Sequence, residues 1–163
     1  MNTANIESRR ITLVLESPED VRARLAEMSP ADRAELSPDW LALVDSATSA
    51  HPWIHGFAMV QRIEGAVVGY CGFKGPPTPE GVVEMAYGVA PEYQGRGFAT
   101  EAAQALVAYA FSHSSVQLVR AHTLPEVNAS THVLTKCGFQ CVGEVVDPDD
   151  GPVWRWEKLD DQA

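Results

Sequence analysis

Gly95-Arg96-Gly97 stands between a β-rich run, Val82–Val89, and a helical pattern that opens near Phe98. Gly95 and Gly97 let the backbone turn tightly and approach a ligand with no Cβ in the way. The helix that follows begins with N–H groups that have no partner inside it, and the positive end of its dipole points the same way. Such a place binds phosphate. Arg96 adds a formal positive charge, which counts in a chain whose formal net charge is -10.

The letters GRGFAT can also be read as part of a dinucleotide fingerprint after a strand. Thr100 stands where that fingerprint places its third Gly or an Ala, and the segment follows a hairpin meander instead of opening a repeated βαβ pattern. A nucleotide enzyme of that kind would bind a dinucleotide. Metal chemistry is not expected: Cys137 and Cys141 lie near His132, but no CxxC pair exists and Gly138 and Phe139 fall between the cysteines. Together with Cys71 they make an odd number of cysteines with no secretory signal, so they read as reduced core thiols. His113, His122 and His132 are expected to do nothing catalytic, and Asp147–Asp150 reads as a solvated turn.

To hold the glycine loop in place, the chain must supply a sheet and a helix. Arg10–Leu15 is a β-rich run, and Ser17-Pro18-Glu19-Asp20 then reads as an N-cap, a first-turn Pro and helix-start acids. A second helix starts near Ser37-Pro38 and carries Trp40, Leu41, Leu43 and Val44 towards Ser49. Phe57–Ile63 and Ala66–Phe73 form a hairpin about Glu64-Gly65, and Gly75–Pro79 is a loop. Val82–Val89 is the next strand, and the long helix over Phe98–Phe111 puts Ala102, Ala103, Leu106, Val107 and Ala110 on its apolar side. Leu118–Leu124 is a strand and Asn128–Cys137 a short helix. Phe139–Val146 and Val153–Leu159 close the chain around the loop Asp147–Pro152. The whole chain, 1–163, reads as one mixed α/β domain with no internal repeat and no linker.

Composition narrows the partners. The 12 basic residues are scattered in a chain of 163, so the clustered face that nucleic-acid phosphates require is missing. No run approaches the ~18 consecutive apolar residues of a membrane span, and MNTANIESRR has no apolar signal core, so a cytoplasmic location is the expectation.

The segment VAPEYQGRGFATEA, Val89–Ala102, resembles the acetyl-coenzyme A signature of the GCN5-related N-acetyltransferase (GNAT) superfamily, Gln/Arg-x-x-Gly-x-Gly/Ala. Gln94, Gly97 and Ala99 match its core. Asn128-Ala129-Ser130 and Lys136-Cys137-Gly138-Phe139 are similar to the family's Asn and Gly-Phe elements, and the resemblance covers roughly residues 57–159. Arg10–Leu15, Glu19–Leu25 and Glu84-Met85-Ala86-Tyr87-Gly88-Val89 resemble the branch that includes the ribosomal-protein alanine acetyltransferases.

The resemblance implies an α/β (α+β) fold with a mainly antiparallel sheet of about seven strands flanked by about four helices. It implies that Val82–Val89 and Leu118–Leu124 splay apart, freeing backbone groups at Tyr87 and Val89 for the pantetheine arm of acetyl-coenzyme A. Gln94, Gly95, Arg96, Gly97, Phe98, Ala99 and Thr100 would hold the pyrophosphate, and Asn128 would contact the pantetheine. The Val89 N–H would face the oxyanion that develops as an amine attacks the thioester. Dimerisation is common in the family.

An amine of pKa about 10.4 must lose a proton before it attacks. Glu84, on the strand lining the thioester, is the candidate base, directly or through water, and a pairing glutamate on a strand is its structural alternative. Where many members carry a Tyr to protonate the departing thiolate, this chain has Leu134. Thr131 and Ser130 offer hydroxyls instead, unless both only cap the helix at Asn128. Trp40, Trp53, Trp154 and Trp156 read first as packing or groove walls, and His51, Trp53 and His55 fall in the family's variable acceptor loop. The activity expected is transfer of an acetyl group to a primary amine, on a small molecule or a protein N-terminus. The alternative from the missing Tyr is a catalytically weak acetyl-coenzyme A-binding sensor or regulatory module.

Overall fold

A computed structural model of the chain describes residues 5–34, 36–148 and 150–160. β2 (Ile11–Leu15) alternates as its sequence requires, with Ile11 and Leu13 fully buried. β1 (Ile6–Glu7) folds back on it as a two-residue edge pair, Ile6 opposite Leu13. α1 (Pro18–Glu27) and α3 (Pro38–Ser46) start alike: the Ser17 hydroxyl accepts the Asp20 N–H at 3.0 Å, the Ser37 hydroxyl accepts the Trp40 N–H at 3.3 Å, and a Pro opens each first turn. Between them lies the one-turn α2 (Pro30–Ala34).

β3 (Phe57–Gln61), β4 (Val67–Phe73) and β5 (Val82–Val89) form an antiparallel meander, followed by α4 (Phe98–Phe111), β6 (Leu118–Thr123), α5 (Ala129–Lys136), β7 (Gln140–Asp147) and β8 (Gly151–Leu159). The strands make one sheet in the order β1-β2-β3-β4-β5-β6-β8-β7, antiparallel except where β5 meets β6. Eight strands and five α-helices exceed the expected seven and four because β1 and α2 are too short to leave a periodic pattern in the sequence. α3 also ends at Ser46, earlier than expected, and β3 at Gln61.

The main core lies between the sheet and α4. Ala102, Ala103 and Ala110 are fully buried, and their small side chains let the helix sit close on Val83, Met85 and Val119. α1 and α3 form a satellite around Val21, Leu25 and Val44. Cys71 and Cys137 are buried as expected, whereas Cys141 is exposed on the edge strand β7. Among the described residues no helix is long and apolar enough to cross a membrane.

Candidate active site

β5 ends where the Ala90 N–H donates to the Val68 carbonyl at 2.8 Å, and a 3₁₀ turn at Pro91–Tyr93 leads the chain out of the sheet. Gln94 folds the next segment back: its Nε2 donates to the Val89 carbonyl at 2.9 Å. Gly95 and Gly97 then adopt φ of 77° and 83°, the left-handed region that side chains disfavour. Gly97 is the N-cap of α4 and offers no side-chain cap, so the Phe98, Ala99 and Thr100 N–H groups have no partner within the helix. Gln94, Gly95, Gly97, Phe98, Ala99 and Thr100 all line one cavity of about 630 Å³. Arg96 does not line it; its guanidinium lies 5.6 Å over the Tyr93 ring.

The cavity follows the gap between β5 and β6. Their ladder runs only from Val82–Leu118 to Glu84–Arg120, after which β6 stays with β8 as far as Thr123–Trp154. The bonds Lys74 N–H to Glu84 carbonyl and Ala90 N–H to Val68 carbonyl fix the phase of β5: even-numbered residues bond β4, and the Tyr87 and Val89 N–H groups turn towards the gap.

α5 forms the opposite wall with Asn128, Ser130 and Val133, joined by His132 and Lys136. The Asn128 carbonyl and side-chain oxygens both serve the first turn: Oδ1 accepts the Thr131 N–H at 3.1 Å, and the Thr131 hydroxyl accepts the Asn128 N–H at 3.0 Å while donating to the Asn128 carbonyl at 2.9 Å. Thr131 is thus buried and committed to a capping box. Ser130 lines the cavity, and its carbonyl accepts the Tyr87 hydroxyl at 3.3 Å. Burial holds the Tyr87 phenol above its ordinary range, so it stays protonated. Leu134, at the place of the absent family Tyr, is fully buried in the core.

Tyr70, Gly72, Lys74 and Ala86 belong to the other face of the sheet. There, with Glu16 and Arg24 of the α1 region and Trp40 of α3, they line a second cavity of about 290 Å³. Arg24 pairs with Glu16 and stacks 4.2 Å over the Tyr70 ring. Of the expected acceptor-loop trio only His55 lines this cavity. Trp53 packs into the core against Phe73 and Tyr109, and His51 is exposed, its N–H turned to His55 Nδ1 at 2.9 Å. Tyr87 borders both cavities.

Glu84 lies on the second cavity's face of β5, beside it and not in its lining. Its Oε2 accepts from the Lys74 ammonium at 2.9 Å and from His122 Nδ1 at 3.1 Å. Arg155 Nε donates to His122 Nε2 at 3.1 Å, so Nδ1 carries the imidazole proton. Burial alone would raise the Glu84 carboxyl; the bonds from His122 and Lys74 outweigh it and hold the group below the usual range. His122 therefore has a structural task that its sequence neighbourhood does not disclose. Asp147, 3.7 Å from His122 Nδ1, and Asp150, 3.9 Å from Lys74, are drawn into the same network; Asp149 lies outside the described residues. Ligand atoms of Glu84, His122 and Asp147 come within 4.8 Å of one another, the donor set of a cation site, but the ammonium of Lys74 already bonds the shared carboxylate.

The sequence profile of the Acetyltransferase (GNAT) domain matches residues 5–140. The chain belongs to the GNAT acetyltransferase family. Its relatives include the uncharacterized N-acetyltransferase p20 of Bacillus licheniformis, 31% identical over 56% of this chain and 51% of its own length. The FsC-acetyl coenzyme A-N(2)-transacetylase of Aspergillus fumigatus is 29% identical over 90% of this chain and 64% of its own. The chain thus spans about half the length of one and less than two thirds of the other. In fold, it is similar to the ribosomal-protein-S5-alanine acetyltransferase of Vibrio fischeri, with TM-score 0.69 at 22% identity over 96% of this chain and 97% of that one. RimL, an alpha-N-protein acetyltransferase solved with coenzyme A, gives TM-score 0.71 at 13% identity over 98% and 99%.

Within this GNAT site, the Tyr87 hydroxyl, Lys74 as a partner of Glu84, and Arg10 join the residues expected from the sequence. Tyr87 carried a signal, since strand alternation puts it on the Val89 side. Lys74 and Arg10 carried none, because their partners are 10 and 91 residues away.

Proposed function

We propose that this GNAT chain transfers the acetyl group of acetyl-coenzyme A to a primary amine, on a small molecule or a protein N-terminus, by direct attack with both substrates bound. The observation that carries this reading is the pair of cavities that meet at Tyr87, where β5 parts from β6. The larger cavity offers unpartnered helix N–H groups to a pyrophosphate and a strand edge to a pantetheine arm. The smaller receives the acceptor.

The Val89 N–H faces the gap and stabilises the negative charge that develops on the carbonyl oxygen during attack. The amine proton leaves through water to Glu84, whose Oε2 is already bonded to Lys74 and His122 and which is therefore an ordered, ionised terminus more than a strong base. As the carbon–sulfur bond breaks, the Ser130 hydroxyl and the Tyr87 phenol supply hydrogen bonds to the thiolate; Thr131 does not, because its hydroxyl is used in the cap. Tyr87 stands in for the α5 tyrosine that Leu134 replaces.

Coenzyme A release, measured over a panel of amines and N-terminal peptides, tests the assignment. Turnover with intersecting initial-velocity lines is expected, and Tyr87→Phe lowers kcat about tenfold with an unchanged KM for acetyl-coenzyme A. Parallel lines would replace direct attack by an acetyl-enzyme route. Tight acetyl-coenzyme A binding without turnover of any amine would turn the reading to a sensor module.

A further inference from the structure

Arg10 precedes β2 and approaches the glycine loop from outside the cavity. Its Nη1 donates to the Arg96 carbonyl at 2.8 Å, its guanidinium carbon lies 4.6 Å over the Phe98 ring, and a Cβ built on Gly97 would come 3.1 Å from Nη2. Glu101, in the first turn of α4, holds this arm in place. One carboxylate oxygen accepts Arg10 Nε–H at 2.9 Å; the other accepts the backbone N–H of Arg10 at 2.7 Å and of Ile11 at 3.2 Å. Burial would raise the Glu101 carboxyl, but the hydrogen bonds from Arg10, Ser8 and the Ile11 N–H together outweigh it and hold the group below its ordinary range.

From this geometry we infer that Arg10 is a positioning residue for the pyrophosphate loop, locked by Glu101. The inference rests on the proposed acetyl-coenzyme A site. In a trans peptide the C=O and the next N–H point in opposite directions, and the described residues contain no cis bond. Drawing the Arg96 carbonyl outwards onto Arg10 therefore aims the Gly97 N–H inwards, where Gly97 lines the cavity. Arg10 has a second effect. Glu101 is a carboxylate within one turn of the place where two phosphates would sit, and the guanidinium neutralises it. Removing Arg10 both frees the loop and exposes that charge.

The test compares acetyl-coenzyme A with S-acetylpantetheine, which lacks the pyrophosphate, in calorimetric binding and in kcat/KM with an amine substrate. Arg10→Met is expected to weaken coenzyme A binding and raise the KM for acetyl-coenzyme A about 10–100-fold, with kcat and S-acetylpantetheine kcat/KM unchanged. Arg10→Lys keeps the charge but loses the planar fork and should recover only part of the loss. Adding Glu101→Gln to Arg10→Met should also recover part, because the exposed carboxylate is gone. Equal losses with both thioesters would reduce Arg10 to a fold-stabilising residue, and wild-type binding by Arg10→Met would overturn the inference outright. Failure of the unaltered protein to bind coenzyme A would instead overturn the functional reading beneath it.

Discussion

Replacing Gly97 separates the conformational demand of the loop from its electrostatic one. At φ 83° an alanine Cβ sits in the left-handed region, which costs about 1–2 kcal/mol. The Cβ also meets Arg10 Nη2 at 3.1 Å, but that atom is the tip of a flexible side chain and gives way. For a domain of this length the loss lowers Tm by about 2–8 °C. Gly65→Ala is the control: its φ is 73°, nothing lies within 4 Å of its Cβ, and it sits in the β3–β4 turn. It should show a similar loss of stability and no change in binding. Gly97→Glu adds a carboxylate roughly 5 Å from two phosphate charges, a repulsion of about 2–7 kcal/mol at effective dielectric constants of 80 to 20. That is at least a tenfold loss of affinity and at the upper end the loss of all measurable binding. Calorimetric titration with acetyl-coenzyme A and thermal melting read the two effects separately. Wild-type affinity in Gly97→Glu would refute the placement of the pyrophosphate at this loop.

Thr131→Val removes both hydroxyl bonds of the capping box and should cost about 1–2 kcal/mol in thermal unfolding while kcat stays within about twofold; Ser130→Ala should do the reverse. A large fall in kcat for Thr131→Val would return its hydroxyl to catalysis. Glu84→Gln should lower kcat about 10–100-fold and, by leaving Lys74 and His122 without their charge partner, destabilise the protein at pH 7. Because the folded Glu84 carboxyl lies below its ordinary range, its stabilisation is present above the unfolded value near 4.5 and fades as pH falls through the folded one; melting of wild type and variant should therefore converge in acid. His55 shows the opposite charge type: burial depresses its pKa below 6.5, so the unfolded chain takes up the proton first and stability declines as pH falls from 6.5 towards the folded value. Melting curves at pH 7.5 and 5.5 should diverge for the wild type and flatten for His55→Gln, and parallel behaviour would remove His55 as the cause.

The loop, its helix and the two serine-capped helices were legible because their signals are local. Gly95 and Gly97 mark a turn, Ser17-Pro18 and Ser37-Pro38 mark helix starts, and alanines at helical spacing mark the buried face of α4. Asn128 and Thr131, three residues apart, likewise spell the capping box that engages the Thr131 hydroxyl. Contacts between distant segments were not legible. Nothing in Arg10 or Glu101 announces a bond across 91 residues, and nothing near His122 announces Glu84 on a strand 38 residues earlier. Trp53 shows the same limit in reverse: its sequence neighbours Ile54 and His55 line the smaller cavity, yet Phe73 and Tyr109 draw its ring into the core.

Strand alternation on β5 divides the labour of the site. Even-numbered Glu84 and Ala86 face the side of the smaller cavity, where Glu84 bonds Lys74 and His122, while the N–H groups of odd-numbered Tyr87 and Val89 open on the gap that continues into the larger cavity. A shift of one residue in the β4–β5 register would exchange the two sets and destroy both functions at once. The register is held by steric fit as well as by hydrogen bonds: a Cβ on Gly69 would fall 2.2 Å from the Gly88 carbonyl oxygen, so only glycine allows this approach of the two strands. Val89 stands opposite Gly69 in this register, and the hydrogen-bond phase of the ladder leaves its N–H on the far side, facing the gap. Gly69→Ala should therefore reduce kcat far more than its position, outside both cavities, would indicate, because it moves the strand that supplies Tyr87 and Val89 without touching either substrate. Unchanged kcat in a folded Gly69→Ala protein would mean that the site tolerates displacement of β5, and the assignment of the Val89 N–H to the developing oxyanion would fall with it.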